Sequence, residues 1–245
     1  MIKFFRKIRQ KLITENKFSK YLLYAIGEIV LVVIGILIAL QINNKNQEKI
    51  NRKYELTMLN EIKDAMEKDI KNMEGGLKNI EELKQSVIKL ALVRNEPNYP
   101  KDSLDYHFTE VRRGGIAVAI NYSPYESLKS TGLDKISNTK LRNSITNLYE
   151  VKLKAVEFWV NEFIRRQLYK KGDLVSTTFE KEVKSDSING INVNYLINQE
   201  VMLKDEFDDF LILSGGFIPI AKRNLSYAIE DMKSQLKEIE LEINK

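Results

Sequence analysis

Side chains that could carry chemistry are few in this sequence. His107 is the only histidine and there is no cysteine, so the chain cannot form a thiolate centre or a zinc site with several histidine ligands. No phosphate-binding glycine loop, nucleophile elbow or HExxH motif occurs. We therefore expect no catalytic residue, no metal site, no cofactor and no enzyme activity, and we interpret His107 as a structural or surface residue.

Two charged clusters deserve comparison with known ion-binding patterns. The acidic residues Asp205, Glu206, Asp208 and Asp209 lack the spacing and the glycine of a calcium-binding EF-hand loop. We interpret them as the solvated first turn of a helix, where acidic side chains favour the helix dipole. Residues 112–115 (RRGG) are suited to an anion, but we favour a turn with exposed charge.

An apolar run near the N-terminus, residues 21–42, is the strongest signal in the sequence. It reads YLLYAIGEIVLVVIGILIALQI, and residues 29–40 contain no polar side chain. At about 1.5 Å per residue this run forms a helix of about 33 Å, which matches a bilayer core of about 30 Å. We expect a transmembrane helix here, with Tyr21 and Tyr24 as anchors at the membrane interface.

The charges on either side of this run predict its orientation. Seven basic residues and one acidic residue precede it within residues 1–20, and four basic residues follow it within residues 43–60. Because positive charge favours the cytoplasmic side, we expect residues 1–20 to form a cytoplasmic tail and residues 43–245 to form a domain on the opposite side of the membrane. The predicted topology is a single pass.

A cleaved secretory signal peptide is the alternative interpretation of the same run. Signal peptides have a shorter apolar region, of 7–15 residues, and a cleavage site of the small-x-small type. Here the apolar run is longer, and residues 37–41 (LIALQ) contain a single small residue. We therefore favour an uncleaved anchor.

Glu28 is the one acidic residue within the run, and a carboxylate is costly in hydrocarbon. Gly35 and Ala39 follow it after 7 and 11 residues, so all three lie on nearly the same helical face. We interpret Glu28, Gly35 and Ala39 as a contact face, because small residues allow helices to approach and a carboxyl can hydrogen-bond across them. The alternative is that Glu28 reaches water at the inner interface.

The remainder of the chain is nearly neutral. Beyond residue 20 there are 32 basic and 33 acidic side chains. The basic balance of the whole chain thus comes from the N-terminal tail, and the basic patch that a nucleic-acid-binding domain requires is missing. We expect membrane lipid as a partner, together with a second copy or another membrane or periplasmic protein, and no nucleic acid.

Three long helical patterns predict an all-α fold. Residues 44–95 carry an apolar seam that Gly75-Gly76 interrupts, so we expect a kink or a break there before the helix ends at Pro97 and Pro100. Residues 139–170 carry a wide apolar face that includes Trp159, and the last helix, from Pro219, has a coiled-coil-like heptad pattern. The predicted architecture is an N-terminal transmembrane helix that continues into an elongated antiparallel helical bundle.

Shorter elements are expected between these helices. Residues 123–126 (SPYE) form a predicted capping box, Gly132 ends that helix, and Asn138 is a predicted cap for the next one. Residues 172–195 lack a helical period and predict a loop, with a β-turn at Asn189-Gly190. The second apolar run, residues 210–221 (FLILSGGFIPIA), is too short to span a membrane and is predicted to be buried.

Two stretches resemble a known family. They are residues 1–44 and residues 121–149 (NYSPYESLKSTGLDKISNTKLRNSITNLY), whose Tyr-Glu-Ser-Leu-Lys, Ser-Asn and Leu-Arg patterns are similar to domain of unknown function 6090. This is a family of uncharacterised single-pass membrane proteins of Bacteroidetes-type bacteria. The resemblance implies an inner-membrane anchor and a periplasmic bundle, and it implies no catalytic residue.

Two classes of function remain open. The first is a membrane-tethered interaction or scaffold protein, for which the helix seams and the contact face are the support. The second is a sensor-like ligand-binding domain that signals through a partner protein. A thermal-shift screen with small metabolites separates the two, because a ligand that raises the unfolding midpoint favours the sensor.

Overall fold

The computed structural model describes residues 18–96, 98–186 and 190–245. The chain divides into two compact units, Met1–Glu55 and Leu56–Lys245. The described chain is 81% helical with one two-stranded sheet, so the predicted all-α class is confirmed. The predicted cytoplasmic tail, residues 1–20, falls largely outside the described residues.

The first helix, α1 (Phe18–Val93), contains the apolar run and the seam that follows it. In the second unit its seam forms one side of the core, and Met58, Ile62, Met66, Ile70, Met73 and Ile80 are buried. A kink or a break was predicted at Gly75-Gly76; the break is wrong, because helical structure continues through both glycines, and the kink stays a prediction. Gly76 instead allows a close approach: a Cβ there would lie 3.3 Å from Cδ1 of Ile116.

Two short helices follow. Helix α2 (Lys101–Arg113) begins after Pro100, and helix α3 (Ser123–Thr131) ends at Gly132, whose φ of 123° suits glycine. Pro124 occupies the first turn of α3 as predicted, but the predicted capping box is wrong, since the N-cap residue is Tyr122 and it makes no side-chain cap. The Oδ1 atom of Asn121 accepts a hydrogen bond from the Ser123 N–H at 3.1 Å instead.

A continuous helical segment occupies residues 139–178, after a 3₁₀ turn at Leu133–Lys135. It comprises α4 (Thr139–Asn147), the π-helical turn Leu148–Lys152, α5 (Leu153–Glu157), the π-helical turn Phe158–Phe163, and α6 (Ile164–Thr178). Asn138 caps it as predicted, because its Oδ1 accepts hydrogen bonds from the N–H groups of Lys140 and Leu141. The segment is eight residues longer than the predicted end at residue 170.

The π-helical turns follow from the spacing of the apolar residues. From Leu141 to Val175 the inward-facing positions advance 34 residues in nine steps, about 3.8 residues per step. An α-helix advances 3.6 residues per turn, so a straight helix would rotate this seam out of the core. A π-helical turn inserts an extra residue and restores the direction. Trp159, which the sequence places on the wide apolar face of this segment, is 44% exposed.

A β-hairpin occupies most of the region that was predicted to be a loop. Strands β1 (Lys181–Asp186) and β2 (Gly190–Tyr195) pair antiparallel, with Val183 opposite Val193. Period-two alternation of small aliphatic and polar residues is a weak signal in strands this short, which explains the error. The turn predicted at Asn189-Gly190 lies partly outside the described residues, and Gly190 has a φ of 80°.

Three helices complete the chain: α7 (Gln199–Met202), α8 (Asp205–Gly215) and α9 (Ile218–Ile243). The second apolar run lies in α8 and the start of α9, and Phe210, Phe217 and Ala221 are buried as predicted. Proline in the first turn of α9 and the buried seam residues Leu225, Met232 and Ile239 agree with the predicted last helix. The aromatic part of the core lies here, where Phe210 contacts Phe108, Phe179 and Phe207.

Candidate functional site

The predicted contact face lies on the first unit's part of α1, within a stretch whose apolar side chains are exposed. Among the described residues, α1 is the one helix long and apolar enough to cross a membrane, and none of its apolar window is buried inside the protein. Length and composition of this kind fit a membrane span or a signal sequence. Leu23 is 73% exposed and Leu37 is 57% exposed, although both are large aliphatic residues.

Along this face the structure leaves room for a close neighbour. A Cβ added to Gly35 would meet nothing within 4 Å, and Ala39 is exposed. Glu28 is partly exposed on the same side of the helix. The backbone of Tyr21 and Tyr24 belongs to α1, but their side chains lie outside the described residues, so their predicted anchoring role stays a prediction.

In the second unit, the residues that carry the family resemblance come together around Glu150. Tyr125 and Lys129, one helical turn apart on α3, donate hydrogen bonds to Oε1 of Glu150 at 3.1 and 2.6 Å. Lys154 donates to the other carboxylate oxygen of Glu150. The two lysines lower the pKa of Glu150 to about 2, so this carboxylate is charged at every physiological pH. Glu150 therefore joins α3 to the 139–178 segment.

Three tyrosines pack beside this carboxylate. The rings of Tyr125 and Tyr149 are stacked, with centroids 4.7 Å apart, and Tyr122 meets Tyr149 edge-on at 5.8 Å. The hydroxyl of Tyr122 donates to Oε2 of Glu157 at 2.9 Å, and burial raises the pKa of Tyr122. Stacked and edge-on pairs stabilise a core by about 0.5–1.5 kcal/mol each beyond the area that they bury. We call Tyr122, Tyr125, Lys129, Tyr149, Glu150 and Glu157 the motif cluster.

Residues 114–121 connect α2 to α3 without helix or strand, and polar side chains hold their backbone. Asn161, in the second π-helical turn, accepts a hydrogen bond from the Val118 N–H at 2.8 Å and donates to the Val118 carbonyl at 2.7 Å. The buried carboxylate of Asp69, on α1, accepts a hydrogen bond from the Asn121 N–H at 2.9 Å. Burial raises the pKa of Asp69. We call residues 114–121 the extended segment.

Lys171 holds the other end of the extended segment. Its ammonium donates to the carbonyl oxygens of Val111 at 2.8 Å and Gly114 at 2.6 Å, where α2 ends. A cation suits this position, because the last carbonyls of a helix have no partner within the helix. Burial, with the nearby guanidinium of Arg112, lowers the pKa of Lys171 to about 8.

None of these three residues was identified from the sequence. Asp69 carried a signal, because it occurs at a core-facing position three residues after Met66 and four before Met73. Lys171 and Asn161 carried no usable signal, since their neighbours Lys170 and Glu162 are equally polar. Their roles depend on the backbone of a segment that is distant in sequence.

The charged and polar residues that stand out in the sequence contact other side chains of the fold. His107 pairs its Nδ1 with the Ser86 hydroxyl at 3.1 Å, and burial lowers the pKa of this imidazole. The acidic cluster forms the first turn of α8, as predicted, and Asp208 accepts a hydrogen bond from Arg94. The described residues contain no group of three or more histidines, cysteines or carboxylates arranged to hold a metal ion. Arg112 lies over the ring of Tyr195, 5.3 Å from its centroid.

These features define a helical protein with an exposed apolar N-terminal helix and a second unit that polar side chains hold together through backbone contacts. The chain belongs to a family of unknown function, DUF6090, whose model matches residues 28–181. That range includes the apolar run from Glu28 onward, the whole motif cluster and the side chains that hold the extended segment. No curated protein and no solved structure matches the chain.

Proposed function

We propose that this protein is a membrane-anchored interaction protein, in which α1 crosses the bacterial inner membrane once and the second unit lies in the periplasm. Residues 1–20 lie in the cytoplasm, and residues 21–42 contact membrane lipid. The helices of the second unit and the contact face on α1 serve to bind a second copy or a partner protein. No reaction is assigned to the chain.

The observation that carries this proposal is the exposure of the apolar run. Large aliphatic side chains along it are about half exposed or more, for example Ile29 at 63% and Ile36 at 61%, and no other described part of the chain covers them. Each such side chain favours transfer out of water by about 1.5–3 kcal/mol. A lipid bilayer supplies that environment along the whole helix, with every backbone hydrogen bond already made within the helix.

A second observation supports a binding role for the folded unit. The charged groups of the motif cluster, together with Asp69, Asn161 and Lys171, are directed at neighbouring side chains or at backbone groups. Arrangements of this kind hold helices and connecting segments in one geometry, which a surface for a partner requires.

The anchor and its orientation are tested with reporter fusions. A reporter that is active only in the periplasm, fused after Lys245, is expected to be active, and the full-length mass of the membrane-extracted chain is expected to be unchanged. A cytoplasmic reporter at the same position that is active instead would overturn the orientation. Loss of an N-terminal fragment of about 40 residues would replace the anchor with a signal peptide.

Association through the contact face is tested with cysteines, because the chain has none of its own. Ala39→Cys is expected to form a disulfide-linked dimer when isolated membranes are oxidised. Leu37→Cys is the matched control, since it is exposed at a similar depth on the opposite side of the helix. Equal dimer yields from the two variants would contradict a defined contact face.

A further inference from the structure

The hairpin has two open edges and one uncovered apolar face. Val183, Val193 and Ile191 lie on the same face and are 59%, 39% and 70% exposed. Glu182 and Lys184 lie on the other face, where Lys184 Nζ pairs with Glu182 Oε2 at 3.0 Å. An isolated two-stranded hairpin is marginally stable in water, and natural proteins protect exposed strand edges. Within the described chain, β1 and β2 pair only with each other.

The ladder shows which backbone groups face outward from β1. The Leu196 N–H donates to the Glu180 carbonyl at 2.8 Å, in the same register as the strand pairs. Because hydrogen-bonded pairs alternate along an antiparallel ladder, residues 182 and 184 direct their backbone groups toward β2. Residues 181, 183 and 185 therefore present their N–H and C=O groups at the free edge, symmetrically about Val183.

This edge is complementary to itself. If a second copy of β1 pairs antiparallel with Val183 opposite Val183, then Glu182 of each copy faces Lys184 of the other, and Lys181 faces Ser185. Three hydrogen-bonded pairs would form, with about six inter-strand hydrogen bonds. The apolar faces of both hairpins then lie on the same side of one four-stranded sheet. This sheet is larger than a single hairpin and can bury side chains between neighbouring strands.

Neighbouring registers lack this match. A shift by one residue would place the apolar face of one hairpin beside the polar face of the other. A register centred on Glu182 places two glutamates directly opposite each other, and one centred on Lys184 does the same with two lysines. Like charges directly opposite are destabilising in a sheet.

We propose that β1 is a self-association site, at which two copies of this chain join their hairpins edge to edge about a two-fold axis through Val183. The partner is a second copy, because the opposite charges and the outward backbone groups of β1 match when the strand meets its own antiparallel copy. The site lies in the second unit and is independent of the contact face on α1. Either one can fail without the other.

Cysteine cross-linking of the full chain in membranes tests the proposed two-fold axis through Val183. Val183→Cys is expected to form a disulfide dimer several-fold more than Val193→Cys, because residues 183 of two copies would have Cα atoms about 5.5 Å apart. Val193 is the matched control: it has the same residue type and face, but the two copies of it would lie about 14 Å apart across the sheet. Equal yields, or a higher yield from Val193→Cys, would overturn the proposal. Because both side chains are exposed, neither variant disturbs the core.

Charge reversal tests the register in the same Val183→Cys background. Glu182→Lys and Lys184→Glu are each expected to lower the dimer yield several-fold, since each places like charges opposite each other. The double variant exchanges the two charges and is expected to restore the yield. Failure of the double variant to restore it, with both single variants impaired, would exclude this register. An unchanged yield in the single variants would exclude the charge pairing.

Discussion

Lys171 carries an ammonium that is 3% exposed and donates hydrogen bonds to two backbone carbonyls. Asn161 and Asp69 act in the same way on Val118 and Asn121, so the extended segment depends on side chains from three different parts of the chain. A buried carbonyl or N–H that loses such a partner costs about 1–3 kcal/mol. Single residues thus fix a connection that contains no secondary structure of its own.

The lowered pKa of Lys171 predicts how stability changes with pH. Below pH 8 this lysine is protonated in both the folded and unfolded states, and the cost of burying its charge is fully present. Between about pH 8 and 10.5 the folded state releases the proton first, so stability rises by up to roughly 3 kcal/mol. Burial raises the pKa of Tyr149, which lowers stability above about pH 10.

The measurement is the thermal midpoint of the full chain in detergent at pH 7, 8, 9 and 10. The midpoint of the natural protein is expected to rise from pH 8 toward pH 10, and that of Lys171→Met is expected to be flat over the same range. Methionine keeps most of the apolar stem and removes the charge. A variant with the same slope as the natural protein would show that another group titrates.

At the scale of elements, apolar spacing predicted the positions of the long helices well, but it predicted their ends and irregular turns poorly. The seam of α1, the Asn138 cap and the start of α9 followed from the sequence, because each depends on residues within one or two turns. The under-winding of the 139–178 segment was also present in the sequence, as successive steps of four between apolar residues. The hairpin was missed because its strands are short, and its backbone partners are set by pairing across a turn.

The same difference between local contacts and contacts distant in sequence applies to the candidate sites. The contact face could be predicted because it lies within one helix, where spacing gives position directly, and its contact role stays a prediction. Four of the six motif-cluster residues lie in the stretch that carries the family resemblance, but the sequence did not show that the cluster forms, since its bond from Lys129 to Glu150 links residues 21 apart in the chain. Gly75-Gly76 shows the opposite error: local propensity predicted a break, but tertiary packing keeps the helix intact.

Three glycines provide a test of helix continuity. Gly75 and Gly172 lie inside helices with nothing within 4 Å of an added Cβ, so Gly75→Ala and Gly172→Ala are each expected to stabilise the protein by about 0.5–1 kcal/mol. At Gly114 an added Cβ would lie 2.5 Å from Leu83 and 2.7 Å from the Glu110 carbonyl. Gly114→Ala is therefore expected to destabilise by about 1–3 kcal/mol.

Chemical denaturation of the full chain in detergent measures all three variants. If Gly75→Ala destabilises the protein while Gly172→Ala stabilises it, then the helix is not regular at residue 75 and the predicted kink is supported. If Gly114→Ala is neutral, the contact between the end of α2 and Leu83 on α1 is looser than the structure indicates.

At the scale of the whole molecule, the net charge is distributed unevenly between the N-terminal residues and the remainder of the chain. The net charge of +5 arises in residues 1–20, and the part beyond them is nearly neutral. A nearly neutral surface lets two copies approach without long-range repulsion, as the pairing of β1 with its own copy requires. We propose a topological role for the basic residues at the N-terminus, and this role can be tested apart from the fold.

Removing basic residues before the run is expected to change the orientation that we propose for α1. Replacing Lys3, Arg6, Lys7 and Arg9 by glutamine leaves three basic residues before the run, fewer than the four within residues 43–60. Because the excess of lysine and arginine sets which side remains cytoplasmic, the periplasmic reporter after Lys245 is expected to lose several-fold in activity and a cytoplasmic one to gain. Replacing Lys45, Lys49, Arg52 and Lys53 instead is the matched control and should preserve the natural orientation. Periplasmic activity that persists in the first variant would show that features other than this charge difference determine the topology.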